Sequence, residues 1–573
     1  MTLSDAGDRS LAYNSSVLRS AARTGLHSPL AAPWAASRGL SVPILPAVLM
    51  AIVGGALLTL SFPSADVWPA AFPGIAVTLI ALRGRSVGGS ILVGLAGGLT
   101  FFLLLIEWVS TYLGPVPWIA LATFEAFFFA LGSVAIALAY RWMPRVWPGT
   151  VGRLLLVPVA VGGLWTGREF LAGHYPYGGF AWGRIAESQS QSPIAPLVAW
   201  FGISGLGFVI VAAVALVVQL LAELGVAPFT RVFVGGVTIC AILLVPAWPT
   251  HPDGTSTIAA VQGNSKAGFF EPHQYGDLTN AQVEATYDHV KPGTKVDMVV
   301  WPEGASDRDP TRDAFGRYAF DAISSTYKAP LVSGVITQKG SKLYNSSIVW
   351  DEGHVTGQYN KRHLVPFGEY VPDRPVFMAI APSLVGLLTR DLTPGTDGNV
   401  LNVHGIAAGI SICFDIVDDA LTTKMVDGGA KVILAQTNNA DFGKSEENTQ
   451  QLAISRLRAI ETSRPLVNIS TVGSSAVISA TGATTASIPA YKPGAIVTTV
   501  TLGSGITPAI RFGGDIEALV DLLGLGLIVG AGLIVRGGGG AEGGRAKGRG
   551  HNAKTRRPEP TRSEHDTNIE ALV

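Results

Sequence analysis

The sequence predicts a protein in two parts, an α-helical membrane domain of eight transmembrane helices and an α/β domain outside the bilayer. The 573-residue chain is 48% hydrophobic and 14% charged, well below the roughly one quarter of charged residues usual in soluble proteins. Apolar runs fill residues 44–247, whereas strand-like runs alternate with helix-like stretches over 251–511. The formal net charge is zero, so no general attraction to nucleic acid is implied.

The chain begins with a polar arm. Residues 1–42 are rich in Ser, Ala and Arg and show no hydrophobic period. Because no compact basic start leads directly into an apolar core, we expect a disordered cytoplasmic arm and not a cleaved signal peptide.

Seven apolar runs follow within residues 43–248, and an eighth lies in 516–535. Most approach the roughly 20 residues that cross a bilayer. Two are weaker candidates, because the second is short and the fifth is interrupted by Pro158 and ends near Arg168. The eight runs are 44–62, 68–82, 88–109, 118–140, 151–170, 194–221, 229–247 and 519–535.

The basic residues beside these runs predict their orientation. Arg and Lys cluster at alternate links, as expected for cytoplasmic loops. Arg168 and Arg184 are exceptions on the predicted outer side. The arm and the basic, Gly-rich tail 536–573 are therefore predicted to be cytoplasmic, the tail being disordered. This tail is either a solvated flank or a contact for anionic lipid or a cytoplasmic partner. The cytoplasmic arginines are Arg19, Arg23, Arg38, Arg83, Arg85, Arg141, Arg145, Arg153 and Arg231.

Residues 249–515 are predicted to form the α/β domain. Within the stretch 446–464, Ala453, Leu457 and Ile460 share one helical face. Such alternation predicts sheets covered by helices. The strand-like runs are STIAAVQGN, VDMVVWPEG, PLVSGVITQ, LYNSSIVWD, IAAGISICFD, KVILAQTNN, PLVNIST, SAVISA and AIVTTVTL.

Three polar residue types in this domain suit thiol acyl chemistry. The run GIAAGISICFD delivers Cys413, VVWPEGAS places Glu303 after an apolar run, and GQYNKRHLVPFGEYVP carries Lys361. A carboxylate can take the thiol proton, an ammonium can hold an oxyanion, and the sulfur can attack. Each residue has a plainer interpretation: a small buried hydrophobe, a strand-end carboxylate and a solvated basic face. His363 is a rival base for a Cys/His pair.

The order WPEG, NKRHLVPFGEYVP, ICFD resembles the Glu-Lys-Cys triad of the nitrilase (carbon-nitrogen hydrolase) superfamily. The second motif and the membrane runs resemble its membrane branch, the apolipoprotein N-acyltransferases. This resemblance implies an extracytoplasmic nitrilase-like αββα sandwich. It implies that Glu303 is the general base, Lys361 stabilises the oxyanion, Cys413 is the nucleophile and Glu369 orients Lys361.

The resemblance also implies the reaction. A fatty acyl group would pass from a phospholipid, through a cysteine thioester, to the α-amino group of the diacylglyceryl-cysteine of an apolipoprotein, at a bacterial plasma membrane. A membrane-anchored amidase or nitrilase with the same triad, and a non-catalytic scaffold or transporter, are the alternatives. No Cys/His cluster has zinc-like spacing and no phosphate-cradling Gly motif stands out, so no metal or cofactor is implied.

Substrate contacts are expected from Phe414, Asp415, Asn439 and Trp182. The family has Tyr and Glu where this chain has Phe414 and Asp415, and often Trp at Asp441, which leaves the acyl-chain or acceptor preference open.

Three further residues or segments have two interpretations each. The aromatic link 175–192 either lines a cleft or anchors the chain at the bilayer surface. Glu125 is either functional or a residue near a helix end or paired with Arg184. Cys240, within the seventh run, is expected to be a lipid-facing or helix-packing residue, and a disulfide with Cys413 is not expected.

Overall fold

The computed structural model describes residues 42–547, apart from 64, 224, 269 and 270. The predicted arm up to residue 41 and the tail from residue 548 lie outside the described residues.

Five helices of the described chain are long and apolar enough to cross a membrane. They share a high content of small and branched apolar residues, and they pack around a common core that includes Phe102, Ile136, Val161 and Leu206. These helices are α3 Val87–Leu105, α5 Pro115–Val146, α6 Val157–His174, α7 Val198–Ala222 and α15 Pro508–Lys547. A π-helical turn, Gly152–Leu156, directly precedes α6.

Three shorter apolar helices complete this domain. Each of the eight predicted apolar runs falls on one of these eight helices. A further short helix, α4 Val109–Leu113, follows α3 and contacts the α/β domain. The three shorter helices are α1 Ile44–Leu60, α2 Ala71–Leu82 and α8 Pro228–Leu243.

The α/β domain contains two six-stranded sheets. Their orders are β12-β1-β2-β3-β4-β5 and β11-β10-β9-β8-β7-β6, and each sheet has three parallel strands at its centre, β1 to β3 and β7 to β9. The strands are β1 His251–Gln262, β2 Met298–Val300, β3 Leu331–Lys339, β4 Lys342–Asp351, β5 His354–Asn360, β6 Val400–Val403, β7 Ile406–Ile412, β8 Val432–Thr437, β9 Leu466–Ser470, β10 Ser475–Ile478, β11 Thr484–Ile488 and β12 Gly494–Ser504.

The two sheets face each other across one apolar core, in which Met298 and Val332 of the first sheet meet Ile410 and Leu434 of the second. Helices cover both outer faces, so the layers are α-β-β-α, as the family resemblance implies. The helices are α9 Asp277–His289 and α10 Ala314–Tyr327 on the first sheet, α13 Asp419–Asp427 and α14 Glu447–Thr462 on the second, and the short α11 Arg374–Ile380 and α12 Pro382–Val385 in a connection.

All nine predicted strand-like runs form strands, and three observed strands are additional. These three, β5, β6 and β11, lie at sheet edges. Their side chains are partly exposed, whereas the central β2 and β8 are fully buried. An edge strand with solvent-exposed side chains lacks the continuous run of apolar residues from which the other strands were predicted.

The last helix extends beyond its predicted end at residue 535. It continues to Lys547, so residues 536–547 are helical where the sequence predicts disorder. Extending an existing helix requires no new nucleus, which explains how a Gly-rich segment continues the apolar helix before it.

Candidate active site

Glu303 lies in the turn after β2, at the carboxyl end of the parallel strands. Gly334 of β3 lies directly beneath this turn, since a Cβ there would come within 2.6 Å of the Glu303 Cα. The Gly334 amide donates to the Pro302 carbonyl at 3.1 Å. Only a glycine allows the turn to lie this close to β3. The Glu303 carboxylate is thus fixed between the two sheets, with 7% of the residue exposed.

Cys413 follows β7 and starts a short 3-10 turn. Its φ of +50° is in the left-handed region, which non-glycine residues rarely adopt and which clusters at functional sites. The turn directs the chain away from the sheet as soon as β7 ends. The sulfur therefore lies at the edge of the sheet core and not within it, and Cys413 is only partly buried.

Lys361 follows the edge strand β5 and is almost fully buried. Its Nζ lies 2.9 Å from Glu369 Oε2 and 3.4 Å from Glu303 Oε1. Asn345 Nδ2 donates to both carboxylates, to Glu303 at 2.7 Å and to Glu369 at 2.9 Å. The Asn438 amide donates to the other Glu303 oxygen at 2.8 Å. The structure thus brings the predicted Glu303, Lys361 and Glu369 together in one hydrogen-bonded cluster.

The electrostatics of this cluster keep the sulfur protonated at rest. Burial and the Glu303 carboxylate raise the pKa of the Cys413 thiol, and Lys361 only partly offsets them. Burial also raises the pKa of Glu303, against the lowering effect of Lys361. Although burial lowers it, Glu369 and Glu303 raise the pKa of Lys361 above its ordinary value. The cluster therefore combines a thiol, a carboxylate and a permanent ammonium, close enough to perturb one another.

The membrane domain contributes aromatic side chains beside Cys413. We call Trp108, Phe180, Trp182, Phe414 and Phe442 the aromatic wall. Phe180, Trp182 and Phe414 are stacked with centroids 6.0 to 6.4 Å apart, while Trp108 contacts Trp182 at 5.3 Å and Phe442 at 5.0 Å. Three of the five residues come from the membrane domain, and two of these three, Phe180 and Trp182, belong to the aromatic link, whereas Tyr175 and Tyr177 of the link are exposed.

Gln450 of α14 fastens this wall. Its carboxamide oxygen accepts hydrogen bonds from the indoles of Trp108, at 3.2 Å, and Trp182, at 2.7 Å. Its nitrogen donates to the Leu105 carbonyl at 3.1 Å. The wall therefore has fixed ring positions, as a surface that excludes water from the sulfur requires.

Two of the predicted substrate contacts, Asp415 and Asn439, are engaged in hydrogen bonds within the protein. Asp415 is buried and accepts hydrogen bonds from the Tyr359 hydroxyl at 2.9 Å and from the amides of His363 and Ile412. Asn439 is buried as well, and its carboxamide is occupied by Thr437, Ser470, Glu447 and Gln451. Both residues shape the site from behind, whereas Phe414 and Trp182 belong to the aromatic wall.

The positions of His363 and Glu125 bear on two other predictions from the sequence. His363 packs edge-on against Phe414 and its Nδ1 lies 3.3 Å from Asp418, so it is oriented away from a role as thiol base. Glu125 is buried within α5 and not at its end. Arg184 pairs with Glu187 and Asp419, which makes the predicted pairing of Glu125 with Arg184 wrong.

The sequence analysis missed Asn345, Gln450 and Gln451. Gln451 donates to Cys413 Sγ at 3.6 Å. Glu447, Gln450 and Gln451 lie three and four residues apart at the start of α14, and all three are buried. Polar residues that recur at helical spacing within the predicted helix were the available signal.

Comparisons with known proteins match both parts of the chain. The apolipoprotein N-acyltransferase N-terminal domain matches residues 54–216, and the carbon-nitrogen hydrolase family matches residues 257–507. An apolipoprotein N-acyltransferase of Mycolicibacterium smegmatis is 31% identical over 84% of both chains. One of Shewanella oneidensis is 28% identical over 81% of this chain and 92% of its own length.

Two solved structures each match less than half of the chain. A carbon-nitrogen hydrolase from Helicobacter pylori G27 aligns with a TM-score of 0.32 and 16% identity, over 46% of this chain and 92% of its own. An amidase from Nesterenkonia sp. aligns with a TM-score of 0.32 and 16% identity, over 45% of this chain and 94% of its own. Likenesses of this size do not bear on function.

Proposed function

Because the chain belongs to the apolipoprotein N-acyltransferase family, we propose that it moves a fatty acyl group from a phospholipid, through a thioester on Cys413, to the α-amino group of a diacylglyceryl-cysteine. The enzyme is an acyltransferase of lipoprotein maturation. The observation that carries the mechanism is the cluster of Glu303, Lys361 and Cys413 beside an aromatic wall of the membrane domain.

In the first half-reaction, Cys413 Sγ attacks the ester carbonyl of the phospholipid while Glu303 takes the thiol proton. The Lys361 ammonium holds the oxyanion of the tetrahedral intermediate. When the intermediate collapses, the bond to the lysophospholipid oxygen breaks. Glu303 returns the proton to that oxygen, and the thioester remains on the enzyme.

In the second half-reaction, the α-amino nitrogen of the acceptor attacks the thioester. Glu303 takes a proton from nitrogen, Lys361 again holds the oxyanion, and the carbon-sulfur bond breaks. The sulfur leaves as a thiolate and recovers its proton from Glu303, which completes the cycle. Glu369 and Asn345 position Lys361 and Glu303 throughout.

We propose that all eight apolar helices cross the bilayer and that the α/β domain lies on the extracytoplasmic side of a bacterial plasma membrane. The alternating basic links support this orientation. The two exceptional arginines fit it, because both are buried and paired, Arg168 with Glu169 and Arg184 with the buried Glu187 and the partly exposed Asp419. A buried arginine that is already ion-paired does not indicate on which side of the membrane its segment lies.

No observation favours the alternative in which water, and not an amine, releases the acyl group. The aromatic wall is an apolar surface that includes Phe414, the residue next to Cys413, and this supports the exclusion of water from the thioester. From residue 548 onward the basic tail lies outside the described residues, and its contact with anionic lipid or a cytoplasmic partner stays a prediction.

The proposal is tested by intact-mass analysis of the purified full-length enzyme after incubation with mixed phospholipid. We expect an acyl-sized adduct that hydroxylamine removes and that is lost in Cys413→Ala. Cys240→Ala is the matched control, because Cys240 is exposed on α8, and it keeps the adduct. Adding a peptide with an N-terminal diacylglyceryl-cysteine should move the acyl group to the peptide amine.

Two outcomes would contradict the proposal. An adduct that persists in Cys413→Ala would show that Cys413 is not the acylated nucleophile. Release of free fatty acid at the same rate with and without the acceptor peptide would make the chain a hydrolase.

A further inference from the structure

Gln451 contacts the sulfur of Cys413 from the side of α14. It is 1% exposed, and its Nε2 lies 3.6 Å from Sγ, within the range of an N–H hydrogen bond to sulfur. The reactions above assign no role to it. In the proposed reaction Glu303 transfers the proton and Lys361 stabilises the oxyanion. Neither role provides a hydrogen-bond donor for the negative charge that develops on sulfur.

The orientation of the Gln451 carboxamide is fixed by its neighbours. Asn439 Nδ2 donates to Gln451 Oε1 at 3.0 Å and to Glu447 Oε2 at 2.6 Å. Asn439 Oδ1 is itself occupied, accepting from Thr437 at 3.0 Å. If the Gln451 carboxamide were reversed, two NH₂ groups would face each other. The oxygen of Gln451 therefore faces Asn439, and its N–H faces the sulfur.

We propose that Gln451 is a further catalytic residue, whose carboxamide N–H stabilises the sulfur of Cys413 whenever that sulfur carries negative charge. This inference rests on the proposed thioester mechanism. It differs from a packing role because the donor is held by Asn439, which is held in turn by the ends of β8 and β9.

The contribution falls at two points of the cycle. As the thiol proton moves to Glu303, the N–H bond to sulfur strengthens and lowers the cost of forming the nucleophile. When the acceptor amine has attacked, the carbon-sulfur bond breaks and the electron pair goes to sulfur. The same N–H receives this leaving thiolate before Glu303 returns the proton. A hydrogen bond gains most when its acceptor becomes charged.

The test uses the full-length enzyme in a Cys240→Ala background, so that Cys413 is the remaining cysteine. The rate of alkylation by iodoacetamide is followed against pH, alongside single-turnover acylation by phospholipid. In Gln451→Met we expect the alkylation midpoint to move to higher pH and acylation to slow by about 10- to 100-fold. Gln451→Glu keeps an acceptor for Asn439 but offers a negative charge to sulfur, so its loss should be larger and should shrink as pH falls.

Gln282→Met is the matched control. Gln282 is an equally buried glutamine on α9 that donates to the Val261 carbonyl at 2.6 Å, outside the active site. Its substitution should lower the melting temperature without moving the alkylation midpoint.

An unchanged alkylation midpoint and unchanged acylation in a folded Gln451 variant would overturn the proposal, and so would a moved midpoint with unchanged acylation. Gln451→Glu decides the matter if Gln451→Met does not fold. Alkylation needs no acyl donor, so it reports on Gln451 even if the proposed acyl transfer fails.

Discussion

At the scale of single residues, the proposed nucleophile Cys413 is not ionised in advance. A free thiol has a pKa of about 8.5, and a nearby cation lowers it. Burial and Glu303 instead raise the pKa of the thiol. The proton must therefore leave as the sulfur attacks, which makes the carboxylate of Glu303 part of the reaction and not only of its preparation. A protonated resting thiol also resists oxidation.

Glu447 shows how burial affects stability at this scale. Burial raises its pKa from an ordinary 4.5 to about 8, although the hydrogen bond from Asn439 lowers it. Between these values the folded protein holds a proton that the unfolded chain has lost. The free energy of unfolding should therefore fall as pH rises from about 4.5 and level off above about 8.

We predict that Glu447→Gln removes this part of the pH dependence, because the amide oxygen still accepts from Asn439 and never ionises. Its melting temperature at about pH 8.5 should exceed that of the unsubstituted enzyme by about 3 °C or more, with a smaller difference at about pH 5. Thermal unfolding across this pH range measures it. Exposed Glu284→Gln is the control, and equal pH profiles for all three proteins would contradict the prediction.

At the scale of elements, α14 connects the chemistry to the membrane domain. One residue of its first turns, Gln451, contacts the sulfur, and its neighbour Gln450 holds the indoles of Trp108 and Trp182. A helix is rigid over this distance, so the aromatic wall and the nucleophile keep a constant separation. The same helix buries Leu457 and Ile454 against the second sheet, which fixes it in place.

We predict that Trp108→Leu weakens the aromatic wall. The substitution removes an indole hydrogen bond and ring contacts, and should cost about 2 kcal/mol of stability. Water should then reach the thioester more easily, so the ratio of free fatty acid to N-acylated peptide should rise several-fold. Product analysis by mass spectrometry measures this ratio.

Trp200→Leu is the control for this change, since Trp200 also donates its indole N–H, to the Pro246 carbonyl, and packs on Trp248. It should leave the product ratio unchanged. Equal ratios in both variants would argue against the aromatic wall as the barrier to water.

At the scale of the whole molecule, an ion network of four buried residues and the partly exposed Asp419 joins the two domains. We call Arg184, Glu187, Asp419, Arg458 and Glu461 the junction network. Arg184, from the link between α6 and α7, pairs with Glu187 at 3.2 Å and with Asp419 of the α/β domain at 2.8 Å. Arg458 contacts both Asp419 and Glu461. Since Arg184 follows Trp182 of the aromatic wall and Asp419 follows the turn at Cys413, the junction network joins the two domains next to the candidate site.

We predict that Arg184→Met destabilises the protein by about 3 to 5 kcal/mol, because Glu187 keeps a buried charge without its partner. The rate of N-acylation should fall as well, because the residues from the two domains lose their relative positions at the site. Lys431→Met is the control, since the Lys431–Asp253 pair is 38% and 47% exposed and should contribute less than about 1 kcal/mol. Chemical unfolding of the three proteins checks the prediction, and similar losses in both variants would contradict it.

What the sequence determined by itself depended on local composition. Apolar runs marked the helices, continuous apolar strands marked the sheet centres, and long motifs identified Glu303, Lys361, Glu369 and Cys413. Each of these signals lies within a short stretch of chain, because burial on all sides requires an uninterrupted apolar run.

Tertiary structure alone decided how these pieces meet. The edge strands, the pKa of the thiol, and the contacts of Gln451 depend on neighbours that are distant in the chain. Trp108 and Gln450, for instance, are 342 positions apart yet share a hydrogen bond. The sequence shows that a buried polar side chain needs a hydrogen-bond partner, but the packing of the fold determines which residue that partner is.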